Sequence, residues 1–284
     1  MIVRQVDPRS DPDTVAAMDA VMRTAFATTS FADAMERFAT AQPDGFVVAE
    51  DEGRVVGTGC CVGYPGGGFG WVGLVATAPG HERRGIATKV TEALVAILAD
   101  HGCAAVLDAS VKGGPVYERI GFHDRGPTAV LTRRCGPLTP PAGADVVCER
   151  LAADDFDEIV AYDTVCFGAD RGTLLAAARA QRPGRALVAH RAGRVVGYTI
   201  AHDPTLAPLV ADDADALHAL VAAAVTLPFS DGTRATVPPE SAHRTALEAL
   251  GFEHQRSLRN MRRGIDVLPG RRERIAGQLS LGEG

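Results

Sequence analysis

The chain has 284 residues, 46% of them hydrophobic, and a formal net charge of −6. That length exceeds one ordinary domain and favours two, the net charge argues against a nucleic-acid partner, and there is no apolar run of about 18 residues to span a membrane. The six cysteines, at 60, 61, 103, 135, 148 and 166, show no Cys-x-x-Cys spacing. Most lie in apolar strand-like runs, which reads as reduced core thiols, no metal and a cytoplasmic location. The first residues carry no basic-then-apolar signal segment.

In chain order, Ile2 to Val6 reads as a strand, and residues 12–26 and 29–41 carry helical periodicity. Phe46 to Ala49 and Val55 to Cys61 form a hairpin across Asp51-Glu52-Gly53. Gly70 to Ala76 is an apolar strand that breaks at Pro79-Gly80 before a short basic loop. Next comes a helix with Ile86, Val90, Leu94, Ile97 and Leu98 on one face, stopped by Gly102. Ala104 to Ser110 is a buried-type strand, and Gly113 to Phe122 follows it. Further on, helices are expected near 153–165 and 172–182, and strands at 186–190 and 194–201. Arg271-Arg272-Glu273-Arg274 reads as a short terminal helix or, better, a solvated tail packed on the second domain.

The second half repeats the first. Gly53-Arg54-Val55-Val56-Gly57 returns as Gly193-Arg194-Val195-Val196-Gly197, Leu74-Val75-Ala76 as Leu209-Val210-Ala211, and Ile120-Gly121-Phe122 as Leu250-Gly251-Phe252. The offsets are 140, 135 and 130, so the copies are collinear and the second is shorter. The expected domains are 1–135 and 145–265, joined by a Pro/Gly-rich linker at 136–144 and followed by a tail at 266–284.

The loop Glu82-Arg83-Arg84-Gly85-Ile86-Ala87 opens a helix with small residues and unpaired amides. Such a helix start attracts phosphate, and Arg83 and Arg84 add charge at its rim. Taken alone, the loop also admits the lesser reading of an ordinary strand–helix junction with a glycine turn. Loop, helix, strand and Tyr117-x-x-x-Gly121-Phe122 together resemble, in order and spacing, the acetyl-CoA site of the GNAT acyltransferases. The loop departs from that family's pattern at its first position, where Glu82 stands in place of Gln or Arg.

The resemblance implies two α/β (α+β) GNAT folds in tandem, each a mixed, mostly antiparallel central sheet flanked by helices. It implies acetyl transfer from acetyl-CoA to a primary amine of a small molecule or peptide. The cofactor contacts would be Leu74, Val75 and Ala76 on the strand, with the Val75 backbone on the thioester oxygen, and Arg83, Arg84, Gly85, Ile86, Ala87 and Thr88 on the phosphates. Tyr117 would be the general acid, with a core aromatic using its OH for one structural hydrogen bond as the other reading. Asp108 is the candidate base, although a buried Asp held by backbone amides reads equally well. Phe31 and the Ala27 to Ser30 loop would shape the acceptor pocket; Trp71, the only tryptophan, lies in the strand that would floor it, with core packing as the default for its ring and a pocket wall as the other reading.

The second copy lacks this chemistry. Asp212, Asp213 and Asp215 stand at its helix start, where they cap the amides and repel phosphate, and Leu247 replaces Tyr117. One active first domain is therefore expected. A non-catalytic acyl-CoA-binding sensor or interaction protein stays open as the alternative, as does self-association into a homodimer.

Overall fold

The computed structural model describes residues 1–27, 30–140, 145–152 and 154–284, which divide into two units. Unit 1 comprises Met1–Arg125, Met261–Asp266 and Glu283, and unit 2 comprises Gly126–Asn260, Val267–Gly282 and Gly284.

Unit 1 begins with β1 (Ile2–Val6), α1 (Pro12–Phe26) and α2 (Ala32–Ala41). Asp11 accepts the Thr14 N–H at 3.2 Å and Pro12 fills the first turn, which fixes the start of α1. α2 starts at Ala32, later than expected; Thr28 and Thr29 of the expected acceptor loop lie outside the described residues. Then come β2 (Phe46–Asp51), β3 (Arg54–Tyr64), β4 (Phe69–Thr77), α3 (Ile86–Asp100), β5 (Ala104–Ala109) and α4 (Gly114–Arg119). The sheet order is β1-β2-β3-β4-β5, antiparallel up to β4 and parallel between β4 and β5.

α3 covers one face of this sheet. Its Ile86, Val90, Leu94 and Leu98 pack on Val47, Ala49, Val72, Ala105 and Leu107. The helix comes close because β3 carries glycines beneath it: a Cβ on Gly57 would lie 2.3 Å from Ile86 Cγ2, and one on Gly59 2.7 Å from Leu94 Cδ1. Phe46, Val48, Cys60, Phe69 and Trp71, equally buried, alternate to the other face, and α1 and α2 pack against β3 and β4. Unit 1 also buries an ion pair, in which Arg37 Nε and Nη2 donate to the Glu283 carboxylate at 2.8 Å each.

Unit 2 repeats this plan. β6 (His123–Arg133) enters it at Gly126, followed by β7 (Val146–Arg150), α5 (Phe156–Phe167), α6 (Gly172–Gln181), β8 (Ala186–Arg191), β9 (Arg194–His202) and β10 (Thr205–Ala211). α7 (Ala214–Ala224), β11 (Thr233–Val237), α8 (Arg244–Ala249), β12 (Glu253–Arg263) and β13 (Ile275–Gly277) complete the chain. Its strand order is β12-β6-β11-β10-β9-β8-β7, with β13 on β10.

The duplication extends to backbone detail. The turn at Glu52-Gly53 has φ of 50° and 75°, and that at Ala192-Gly193 has 48° and 75°, the paired positive angles of a tight hairpin. Each hairpin slips register at the same place, between Ala49 and Glu50 and between Ala189 and His190.

Two expectations are corrected. The first unit ends at Arg125, not at 135, because residues 129–133 of β6 pair with β11. Conversely, Met261 from the end of β12 sits in the unit 1 core. The tail packs on the second unit as expected but is not a solvated one: Arg272–Arg274 forms a short 3-10 helix with Arg272 buried, and Ile275–Gly277 is a strand of the sheet. Of the expected linker, residues 141–144 lie outside the described residues.

Candidate active site

The site in unit 1 starts from a fault in the sheet. Cys60 pairs with Gly73 and Thr58 with Ala76, so Gly59 opposes two residues, Leu74 and Val75. Leu74 takes φ +55°, a left-handed conformation that a leucine adopts only under constraint. On its other edge β4 pairs with β5 from Phe69/Ala104 to Trp71/Val106 and no further, although β4 runs to Thr77 and β5 to Ala109. The edge of β4 from Val72 to Ala76 therefore faces a gap, and half-buried backbone along such a gap needs hydrogen-bond partners. Leu74, Val75 and Ala76, the expected strand contacts, line it.

The loop after β4 leads into the second part of the site. Gly80, Arg83 and Gly85 take φ of 85°, 61° and 76°. The first hydrogen bond of α3 runs from Lys89 N–H to Gly85 C=O at 3.1 Å, which leaves the Ile86, Ala87 and Thr88 amides without an intrahelical acceptor. Gly85 has no side chain to cap them, and a Cβ built on it meets nothing within 4 Å. The result is an open, amide-lined concavity that suits an anionic group.

The loop's charged residues take different roles. Arg84 Nη2 donates to Asp51 Oδ2 at 2.8 Å and holds that carboxyl below the usual carboxylate range. Arg83 makes no ion pair among the described residues. Glu82 folds back onto its own loop: its carboxylate accepts the Gly80 N–H at 2.8 Å, and its own and the Gly80 amide lower its pKa, with Lys112 and Arg83 adding to the effect. Its negative charge is thus partly spent inside the loop.

Tyr117 lies in α4, packed on the α3 cluster with its ring edge-on to Phe122 at 6.0 Å. Gly113 makes room for it, since a Cβ there would lie 3.1 Å from Tyr117 Cε2. Burial pushes the phenol up to about 12, and its hydroxyl makes no hydrogen bond among the described residues. A phenol is protonated at neutral pH and can donate. Asp108, half-buried near the end of β5, accepts from Trp71 Nε1 at 3.3 Å. Trp71 itself is fully buried, as core packing of a lone tryptophan requires, and its ring does not line an open pocket. Phe31, half-buried, meets Phe26 edge-on at 5.5 Å; Phe26 is 49% exposed and gave no sequence signal beyond being one more apolar helix residue.

The corresponding places in unit 2 are filled. Asp213 caps α7 by accepting the Ala216 N–H at 3.0 Å, and Arg191 donates to both of its oxygens. Asp212 accepts from Tyr162 Oη and pairs with Arg274, each at 2.8 Å. β10 also slips register against β9, between Leu206 and Leu209, and meets β11 in parallel only at Thr205/Arg234. Here the gap holds the chain's own β13, which pairs with β10 at Leu209 and Val210 while Gln278 N–H donates to Thr236 C=O of β11 at 2.8 Å. Leu247, fully buried, stands where Tyr117 does in unit 1. This plugging by a distant strand left no trace in the local sequence.

Among the described residues no helix is long and apolar enough to cross a membrane, and no group of three or more His, Cys, Asp or Glu side chains is placed to hold a metal.

Comparison with known proteins agrees with the duplicated plan. Residues 15–122 match the acetyltransferase (GNAT) family, and residues 159–277 match an acetyltransferase (GNAT) domain. The chain is 27% identical over 194 residues to the uncharacterized N-acetyltransferase YitH of Bacillus subtilis, a match that spans 64% of this chain and 65% of that relative. A crystal structure from Pyrococcus horikoshii, provisionally described as an acetyltransferase, superposes with a TM-score of 0.83 at 23% identity, covering 100% of this chain and 95% of the other. A tandem GNAT protein from the clavulanic acid biosynthesis pathway gives a TM-score of 0.62 at 18% identity, covering 92% and 97%. At these identities the structural likenesses establish the fold.

Proposed function

We propose that this chain, which belongs to the GNAT acetyltransferases and carries two such domains in tandem, moves an acetyl group from acetyl-CoA to a primary amine at a single site in unit 1. The observation that carries this reading is the contrast between the two copies. Unit 1 keeps a bulged strand whose edge beyond Trp71 has no β5 partner, and uncapped helix amides, whereas β13 and Asp213 engage the corresponding backbone in unit 2.

Acetyl-CoA supplies an activated thioester; what remains is for the chain to bind it, polarise its carbonyl and move two protons. The Ile86, Ala87 and Thr88 amides, with Gly85 beneath and Arg83 at the rim, would hold the phosphates. The backbone around Val75, exposed by the bulge, would polarise the thioester oxygen; preorganised donors of this kind contribute roughly 3–4 kcal/mol. Tyr117, half-buried and neutral at pH 7 like any tyrosine, would protonate the leaving sulfur, a role worth about 10²–10⁴-fold. Asp108 would take the proton of the incoming amine, and Phe31 with Phe26 would border the acceptor.

The test is a calorimetric titration with acetyl-CoA, followed by thiol-release assays with spermidine, glucosamine, tyramine and a short peptide with a free N-terminus. One site per chain with amine-dependent thiol release supports the reading. Two sites would mean that unit 2 binds as well. One site with no release from any acceptor class would favour the sensor alternative.

A further inference from the structure

Trp71 and Asp108 meet where the two central strands part. In β5, Ala105, Leu107 and Ala109 pack under α3, so Val106 and Asp108 alternate to the opposite face. In β4, Val72 packs under α3 and Trp71 alternates to that same opposite face. Trp71 is the last β4 residue in the β4–β5 ladder, paired with Val106, and Asp108 lies two residues beyond Val106. The indole N–H therefore reaches across the mouth of the gap to Asp108 Oδ2 at 3.3 Å. The ring is fully buried and braced edge-on by Phe69 at 6.4 Å, which in turn lies 5.4 Å from Tyr64. A buried indole N–H requires an acceptor, and this one is satisfied by a carboxylate that sits beyond the last rung of its own strand pair.

We infer that Trp71 is a positioning residue whose indole N–H sets the orientation of the Asp108 carboxylate at the opening between β4 and β5. This rests on the reading of Asp108 as the proton acceptor for the amine. At 3.3 Å the bond directs more than it stabilises. Its worth lies in directing one carboxylate oxygen, Oδ2, in the half of β5 that has no β4 partner, as catalytic geometry demands. A phenylalanine would fill most of the same volume but could not hold the carboxylate.

The experiment compares Trp71→Phe, Asp108→Ala and the double variant in acetyl transfer to whichever of the four probe amines turns over fastest. Trp71→Phe is expected to lower kcat about tenfold and to change KM for the amine less than about threefold. In the Asp108→Ala background the same change should alter kcat less than about twofold, because two residues acting through one bond are not additive. Losses that multiply would overturn the inference. A second measurement leaves Trp71 intact: as the only tryptophan, it gives a single indole ¹H–¹⁵N resonance, which should move upfield in Asp108→Ala. An unmoved resonance alongside lost turnover would overturn the positioning role alone. Full turnover in Asp108→Ala would remove the base reading and this inference with it.

Discussion

Replacing Gly85 by Asp separates the phosphate-site reading from simple damage to the fold. Gly85 sits at φ +76°, where an L residue costs roughly 1–2 kcal/mol. A Cβ there meets nothing within 4 Å, so no steric term is added and Tm should fall only a few degrees. The new carboxylate would lie beside the Ile86, Ala87 and Thr88 amides. At ~5 Å, one charge pair repels by about 0.8 kcal/mol in water-like surroundings and about 3 kcal/mol at an effective dielectric near 20. For a two-phosphate group the total is roughly 2–6 kcal/mol, or about 30-fold to 10⁴-fold in Kd. Gly85→Ala carries at least as much backbone strain without a carboxylate, so any extra loss in the Asp variant comes from the carboxylate, through its charge and its capping of the amides. Calorimetry with acetyl-CoA reads affinity, and thermal unfolding reads stability. Wild-type affinity in the Asp variant, or equal losses in both, would refute the assignment of this concavity to phosphate.

Tyr117→Phe should reduce kcat by about 10²-fold or more while leaving acetyl-CoA affinity nearly intact, as read by steady-state rates and calorimetry. The same variant has a stability signature. Burial raises the Tyr117 phenol to about 12, above its unfolded value of about 10, so its contribution is full below pH ~10 and lost as pH rises toward 12. Denaturation at pH 9 and 11.5 should show a smaller alkaline loss for Tyr117→Phe than for the wild type. In the loop, Arg83→Ala should weaken acetyl-CoA binding more than Arg84→Ala, since Arg84 is engaged with Asp51; titrations at low and high salt would show it, and the reverse order would refute the division of roles. Arg37→Ala leaves the fully buried Glu283 carboxylate without its guanidinium and should cost about 3–5 kcal/mol in urea unfolding. Replacing both partners by apolar residues, Arg37→Met with Glu283→Leu, should recover most of that loss.

Much of unit 1 was legible because its signals are local. The Pro79-Gly80 break, the amphipathic run from Ile86 to Leu98 and Tyr117-x-x-x-Gly121-Phe122 each occupy one short stretch, and each became the element its periodicity announces. The repeated Gly-Arg-Val-Val-Gly likewise marked two hairpins with matching turns. Asp213 could be read as a helix cap because capping is a contact between residues three apart. What the sequence by itself determined was therefore the type of each element, the duplication, and which residue types stand at the helix start and before Gly-Phe. Tertiary structure alone decided that Gly59 opposes both Leu74 and Val75, that Arg84 turns to Asp51 while Arg83 does not, and that Trp71 spends its N–H on Asp108. It also decided that β6 and the end of β12 belong to units other than the ones their sequence neighbours suggest, and that Ile275–Gly277 occupies the gap beside β10. These are choices of pairing partner and register between segments far apart in the chain. The periodicity of one segment specifies which face is buried, but the partner against which it is buried depends on the shape and unpaired hydrogen bonds of the others.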